Sequence, residues 1–117
     1  MSKTVLIVDD HPSFRGMARA LLESEGFTVV GEAEDGATAI ARYRELRPDI
    51  VLLDVQLPDT TGFAVATELT SNGSSPDIVL TSSRDASDYG ELIAESGARG
   101  FVPKAEISAE AIAALIR

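Results

Sequence analysis

Apolar stretches and amphipathic stretches alternate five times along the 117-residue chain. Short runs rich in Val, Ile and Leu predict strands at 5–8, 27–33, 50–53, 78–81 and 100–102. Apolar residues at helical spacing predict a first helix between Pro12 and Gly26 and further helices at 37–46, 63–69, 86–95 and after the capping residue Ser108. A polar stretch at 71–76 is typical of a loop.

This strict alternation predicts an α/β fold. Right-handed crossovers between consecutive strands place a doubly wound five-stranded parallel sheet between five helices that cover both faces. The run at 50–53 is apolar throughout, which predicts a central strand that is covered on both sides. We expect residues 1–117 to form one domain that ends with the last helix, because this length is usual for a single domain.

Composition and charge narrow the classes of function. The 19 acidic and 10 basic side chains give a net charge of −9, which leaves no basic surplus for direct binding of nucleic acid. The absence of cysteine excludes a disulfide and a thiol nucleophile and agrees with a reducing compartment. No apolar run approaches the ~20 residues that span a bilayer, and the first residues lack the layout of a signal peptide. We therefore expect a cytoplasmic location and no membrane contact.

Polar side chains follow the predicted strands at the edge of the sheet where ligands of such folds bind, beyond the carboxyl ends. These residues are Asp9, Asp10, Asp54, Thr81, Ser82 and Lys104. Each alone has an ordinary explanation, such as an Asp that caps a turn or a solvated lysine. Together, however, the carboxylates, hydroxyls and ammonium predict one shared cleft. His11, the only histidine, is interpreted as an exposed bystander.

Such a cleft favours a particular chemistry. Crowded carboxylates repel one another unless a cation joins them, and oxygen ligands favour Mg²⁺ or Mn²⁺ over zinc or copper. A hard divalent ion commonly accompanies a phosphoryl group, whose remaining oxygens a hydroxyl and Lys104 would hold. An Asp beside the metal can attack phosphorus and form an aspartyl phosphate. The residues thus predict a metal-dependent phosphoryl site.

Four segments carry these residues in an order and spacing that resemble the receiver domain of two-component response regulators. The segments are VLIVDDHP at 5–12, IVLLDVQLPDTTG at 50–62, VLTSS at 79–83 and GARGFVPK at 97–104. The resemblance extends over 5–116 and implies the strand order 2-1-3-4-5. It also implies a signalling switch that catalyses only its own phosphorylation and dephosphorylation.

The resemblance assigns roles around the phosphoryl group. It implies that Asp54 accepts this group from a sensor histidine kinase or a phosphotransfer protein, with Lys104 contacting its oxygens. It further implies that Asp10, Asp54 and the backbone carbonyl of Gln56 touch the metal, and that Asp9 orients a metal-bound water.

The resemblance also implies a conformational response. Ser82 would be the switch hydroxyl, with Thr81 as the alternative one residue earlier in the strand. Phe101 would change rotamer, while Gln56 and Arg84 would flank the phosphoryl group and tune its lifetime. The altered surface, formed by helix 4, strand 5 and helix 5, would bind a downstream protein or a second copy of the chain.

Three alternatives bear on this interpretation. The DDHP opening, with Pro103 before Lys104 and no proline after it, resembles the subgroup usually joined to a C-terminal helix-turn-helix. The chain is therefore either a stand-alone receiver or the input domain of a transcription factor. A Mg-dependent phosphohydrolase with an Asp nucleophile is disfavoured, because the segment 54–56 lacks a second acid. A flavin or nucleotide module is disfavoured by the absence of a Gly-x-Gly-x-x-Gly loop after the first strand.

Overall fold

Five parallel strands form the centre of the described part of the chain. The structure, a computed structural model, describes residues 3–71 and 76–116. The strands are β1 (Thr4–Val8), β2 (Thr28–Ala33), β3 (Ile50–Asp54), β4 (Asp77–Ser82) and β5 (Gly100–Pro103). They pair in the order β2-β1-β3-β4-β5, which confirms the predicted doubly wound sheet. Positions 72–75 of the loop predicted at 71–76 lie outside the described residues.

Within the described residues five α-helices cover the sheet, as predicted. They are α1 (Pro12–Ser24), α2 (Gly36–Leu46), α3 (Gly62–Thr70), α4 (Leu92–Glu95) and α5 (Ala109–Ile116). Proline begins α1, where its missing N–H has no consequence for the helix. The Ser108 hydroxyl accepts a hydrogen bond from the N–H of Ala111, which confirms Ser108 as the cap of α5. Over the described ranges, every helix is too short or too polar to traverse a lipid bilayer.

The helix predicted at 86–95 is wrong over its first half. Residues Ala86–Asp88 form a 3₁₀ helix, and α4 begins only at Leu92. Between them Gly90 has a φ of +56°, a left-handed conformation that glycine adopts readily and that interrupts an α-helix. The helical spacing of apolar residues in this segment does not reflect one continuous helix. Tyr89, one of these residues, packs against the sheet from a loop.

Two apolar layers, one on each face of the sheet, position the strands. Alternate residues of a strand point to opposite faces. Leu6, Leu53 and Leu80 therefore lie in the layer beneath α2 and α3, while Ile7, Leu52 and Val79 lie in the layer beneath α1 and α5. Strand β3 is buried along its whole length, as predicted for the central strand. This arrangement brings the carboxyl ends of β1, β3, β4 and β5 to one edge.

Candidate functional site

The carboxyl ends of β1 and β3 bring three carboxylates together. Asp9 and Asp10 directly follow β1, and Asp54 is the last residue of β3. One oxygen from each carboxylate and one imidazole nitrogen of His11 all lie within 4.8 Å of one another. Asp9 and Asp54 are buried, whereas the Asp10 side chain is 36% exposed. The predicted acidic cluster is thus one site with a buried side and an open side.

Lys104 extends from the end of β5 into this cluster. Its Nζ lies 2.6 Å from Asp9 Oδ2 and 3.3 Å from Asp54 Oδ2. The same nitrogen lies 4.6 Å from the centre of the Phe14 ring, within the range of a cation–π interaction. A single ammonium group therefore faces two buried carboxylates, and it leaves part of their negative charge uncompensated.

The electrostatics of Asp54 reflect this imbalance. Burial raises the pKa of Asp54, the negative charge of Asp9 raises it further, and Lys104 lowers it, with a net value of about 6. Burial alone would lower the pKa of Lys104, but its contacts with Asp9 and Asp54 outweigh burial and raise that pKa. A carboxylate in such surroundings is stabilised in its charged form by an added cation.

A cavity of about 310 Å³ opens in front of the open side of the cluster. It is lined by Asp10, His11, Asp54, Gln56, Leu57, Pro58, Ser83 and Lys104. Asp10 and Asp54 face this space directly, whereas Asp9 is completely buried behind them. Asp10 and Asp54 can therefore supply oxygen ligands directly to a hydrated cation in this cavity, while the buried Asp9 carboxylate supports the site from behind.

Arg15 holds the loop that follows β1. Its Nη1 donates a hydrogen bond of 2.5 Å to the carbonyl oxygen of Asp9, and its Nε donates one of 3.0 Å to Glu32 on β2. The guanidinium group thus connects the backbone of the acidic loop to the neighbouring strand. Asp9 is further restrained by the N–H of His11, which donates to Asp9 Oδ1 at 2.8 Å.

The loop that follows β3 positions Gln56 beside Asp54. The N–H of Gln56 donates to Asp54 Oδ1 at 3.3 Å. Where the loop ends, the N–H of Gly62 donates to the carbonyl of Val55 at 2.7 Å. A Cβ on Gly62 would overlap the carbonyl oxygen of Asp54, so glycine is needed where α3 starts this close to the site.

The two candidate switch hydroxyls on β4 differ in their partners. Ser82 Oγ lies 2.7 Å from the Tyr89 hydroxyl and accepts the N–H of Arg84 at 3.1 Å. Thr81 is fully buried, and its Oγ1 has no hydrogen-bond partner among residues 3–71 and 76–116. In that same part of the chain, no hydrogen bond joins Asp54 to either hydroxyl. Arg84 is exposed and meets Ser82 only through its backbone.

Thr81→Val is expected to raise the free energy of unfolding by about 1 kcal/mol, because a buried hydroxyl without a partner loses hydration on folding and gains no hydrogen bond. Urea unfolding followed by circular dichroism measures this. Thr4→Val is the matched control and should lower stability, since the Thr4 hydroxyl donates to Asp49 Oδ2 and accepts the Asp49 N–H. Equal losses in the two variants would contradict the assignment of Thr81 as unpartnered.

Three residues of the site escaped the sequence interpretation. His11 is exposed, as predicted, but its Nδ1 lies 3.0 Å from Asp9 Oδ1 and 3.1 Å from Asp10 Oδ1. Ser83 lines the cavity although nothing in the sequence distinguishes it from its neighbours. Tyr89 lies in the segment predicted as a helix at 86–95, and its hydroxyl is the signal in the sequence for a polar partner.

Comparison with known proteins identifies the family of the chain. Residues 5–117 match the family model of the response regulator receiver domain. The chain belongs to this family. The receiver domain is 36% identical over 110 residues to the DNA-binding transcriptional activator EvgA of Escherichia coli K12, which covers 94% of the chain and 54% of EvgA.

Solved structures agree with this assignment. A LuxR-family two-component response regulator from Aurantimonas sp. SI85-9A1 superposes with a TM-score of 0.88 and 33% identity, covering 99% of the receiver domain and 84% of that chain. The chemotaxis response regulator CheY4 of Vibrio cholerae gives a TM-score of 0.84 and 25% identity, covering 99% and 97% of the two chains.

These relatives confirm the resemblance that the sequence indicated. The receiver domain is of the LuxR/NarL type, and its homologues are signalling regulators rather than classical enzymes. Receiver domains generally bind Mg²⁺ in an acidic pocket, which agrees with the cluster of Asp9, Asp10 and Asp54. The chain spans about half the length of the curated relatives it matches.

Proposed function

We propose that residues 1–117 form a receiver domain in which Asp54 accepts a phosphoryl group. The observation that carries this proposal is the position of Asp54. Within residues 3–71 and 76–116, it is the one carboxylate that ends the central buried strand, lines the acidic cavity and contacts Lys104. A carboxylate in that position is accessible to a donor in the cavity and lies beside a cation that attracts phosphoryl oxygens.

The proposed step is a direct transfer from phosphohistidine. An Asp54 carboxylate oxygen attacks phosphorus, and the new O–P bond forms as the N–P bond of the donor breaks. The leaving imidazole nitrogen keeps the electron pair of that bond and takes up a proton from solvent. Lys104, whose Nζ is 3.3 Å from Asp54 Oδ2, is close enough to hold the transferred oxygens and acts with Asp54 in catalysis. The donor is a sensor histidine kinase or a phosphotransfer protein.

The residues around Asp54 also suit a divalent cation. Asp10, Asp54 and the backbone carbonyl of Gln56 would hold Mg²⁺ or Mn²⁺ directly, and the buried Asp9 would orient a bound water. When bound, such an ion neutralises negative charge on the phosphoryl oxygens. The all-oxygen set of two cavity-facing carboxylates and one backbone carbonyl matches the preference of these hard cations.

Mg²⁺ is expected to bind the unmodified protein, because it relieves the repulsion between Asp54 and its acidic neighbours. In an NMR titration at millimolar Mg²⁺, backbone signals at 9–11 and 54–57 should shift. Asp10→Asn should weaken the response strongly, while Asp85→Asn, an exposed acid in the loop after β4, should leave it unchanged. Signals that stay in place around both Asp10 and Asp54 would count against the metal site.

The function itself is tested with acetyl phosphate as a small phosphoryl donor. In the presence of Mg²⁺, the protein is expected to gain the mass of one phosphoryl group, and peptide mapping should locate it on the segment that contains Asp54. A protein that takes up no phosphoryl group, either from acetyl phosphate or from a phosphorylated histidine kinase, is not the proposed switch.

The output of the switch follows from the relatives and from the residues near Asp54. The curated relatives are about twice as long as this chain and are described as transcriptional regulators, which supports a role as the cytoplasmic input domain of a transcription factor. Ser82 and Phe101 would respond to the phosphoryl group, and Gln56 and Arg84 would tune its lifetime. The surface formed by α4, β5 and α5 would then bind a downstream protein or a second copy.

A further inference from the structure

The Ser82 hydroxyl is engaged with a tyrosine on the loop that follows β4. Ser82 is only 1% exposed, and its Oγ lies 2.7 Å from the Tyr89 hydroxyl oxygen. The same Oγ accepts the N–H of Arg84 at 3.1 Å. A serine hydroxyl has one hydrogen to donate and two lone pairs to accept with, so these two contacts use most of its capacity. Ser82 is therefore hydrogen-bonded to Tyr89. The next residue, Ser83, lines the cavity in front of Asp54.

The ring of Tyr89 fills the space beside Ser82. Its centre lies 5.4 Å from the centre of the Phe63 ring, nearly edge-on, and 5.7 Å from the centre of the Phe101 ring. Ser82 continues the row of Leu80 along β4, which faces the apolar layer that contains these three rings. Protein interiors are close-packed. The Tyr89 ring therefore occupies the space beside Ser82 and packs against the Phe101 ring.

The backbone around Tyr89 can rearrange at low energetic cost. Residues 83–88 and 90–92 are exposed, so Tyr89 is the only side chain between 83 and 92 that is held inward. The backbone hydrogen bonds of the 3₁₀ helix are local, with Asp88 N–H donating to Asp85 and Tyr89 N–H to Ala86. Segments with few buried contacts open at a small fraction of the global unfolding free energy. The Tyr89 side chain thus restrains a loop that is otherwise weakly attached.

We propose that Tyr89 is the resting-state partner of Ser82 and that the switch operates by breaking their hydrogen bond. This inference rests on the proposed function of Asp54 as phosphoryl acceptor. Phosphoryl oxygens on Asp54 compete with the Tyr89 hydroxyl for Ser82. When Ser82 turns towards them, the phenol loses its partner and leaves the apolar layer. Phe101 then turns into the vacated space, and the start of α4 rearranges with Tyr89.

In this scheme Tyr89 is a positioning residue, because it acts through Ser82 and touches neither Asp54 nor the phosphoryl group. Tyr89→Phe removes the hydroxyl and keeps the ring. A typical hydrogen bond changes an equilibrium constant by a factor of about 2 to 12. Beryllofluoride with Mg²⁺, a non-covalent stand-in for the phosphoryl group, should therefore bind Tyr89→Phe several-fold more tightly than wild type.

A double-mutant cycle separates this role from general packing. Ser82→Ala removes the partner, so adding Tyr89→Phe to Ser82→Ala should leave beryllofluoride affinity unchanged. Tyr43→Phe, which alters the buried tyrosine of α2, is the matched control and should behave as wild type. Equal affinities of wild type and Tyr89→Phe overturn the proposal. The same gain with and without Ser82 also overturns it, because the effect would not pass through that hydroxyl.

The experiment also distinguishes failure of this inference from failure of the proposed function. If wild type binds no beryllofluoride and accepts no phosphoryl group, the function of Asp54 fails. In that case, the hydrogen bond between Ser82 and Tyr89 is tested in the unphosphorylated protein. Tyr89→Phe should shift the amide signals of Ser82 and Arg84 and accelerate hydrogen exchange at 85–91, whereas unchanged signals and exchange overturn the contact.

Discussion

Asp54→Asn is expected to abolish phosphorylation by acetyl phosphate, because an amide oxygen is not the nucleophile that a carboxylate oxygen is. Mass spectrometry should show one added phosphoryl group on wild type and none on the variant. Asp77→Asn, which alters the acid at the opposite end of β4, should be phosphorylated like wild type. If the added mass persists in Asp54→Asn, the acceptor is another residue, and Asp10 is the first candidate because it also lines the cavity.

The same variant should be more stable than wild type when no divalent cation is present. Burial and the charge of Asp9 raise the pKa of Asp54 from its usual 3.8 to about 6. Each pKa unit corresponds to about 1.4 kcal/mol of preference between the two protonation states. Asp54 also faces an open cavity, where solvent screens part of this preference. Replacement of the ionised carboxylate by an amide should therefore raise the free energy of unfolding on the order of 2 kcal/mol at neutral pH, less than the full shift would give.

The pH dependence of this gain has a definite sign. Because the folded-state pKa of Asp54 lies above the unfolded value, the folded protein binds this proton more tightly. The stability that Asp54 contributes is fully present below its usual pKa of 3.8 and is lost as the pH rises through about 6. In EDTA, the difference in stability between Asp54→Asn and wild type should grow over that interval and then level off. A difference that does not change with pH would contradict this account.

Lys104→Met is expected to lower the free energy of unfolding by about 3 kcal/mol at neutral pH without divalent cations, because it leaves two buried carboxylates without their cation. Lys104 Nζ is the ammonium that lies 2.6 Å from Asp9 and 3.3 Å from Asp54. Methionine keeps an unbranched apolar side chain beside Phe14. Phosphorylation of Asp54 should also slow by about 100-fold, since a preorganised contact to the phosphoryl oxygens is gone.

Urea unfolding and the rate of phosphorylation measure the two effects of Lys104→Met. Lys3→Met, which alters the other lysine of the chain, is the control and should change neither quantity, because Lys3 is exposed. Adding Asp54→Asn to Lys104→Met should restore much of the lost stability, since only one buried carboxylate then lacks a cation. Wild-type stability in Lys104→Met would show that the ammonium does not compensate these carboxylates.

Much of the architecture followed from local pattern. The apolar run at 50–53 became the buried strand β3, and Pro12 and Ser108 marked the starts of α1 and α5. Such features are readable because burial on two faces requires an unbroken apolar run and helix ends require particular residues. The error at 86–95 has the converse explanation. Apolar spacing does not distinguish a helix from a loop whose one aromatic side chain packs inward, as Tyr89 does.

By itself, the sequence determined the fold class and which carboxylates and lysine meet at the acidic site. Parallel strands bring their carboxyl ends to one edge, so Asp9, Asp10, Asp54 and Lys104 had to converge once the strands were recognised. Only the tertiary structure decided that Lys104 pairs most closely with Asp9, that His11 contacts two carboxylates, and that Ser82 is bound to Tyr89. Hydrogen bonds and ion pairs depend on differences of less than an ångström between side chains from separate elements. Those distances come from how the elements pack, which no local pattern encodes.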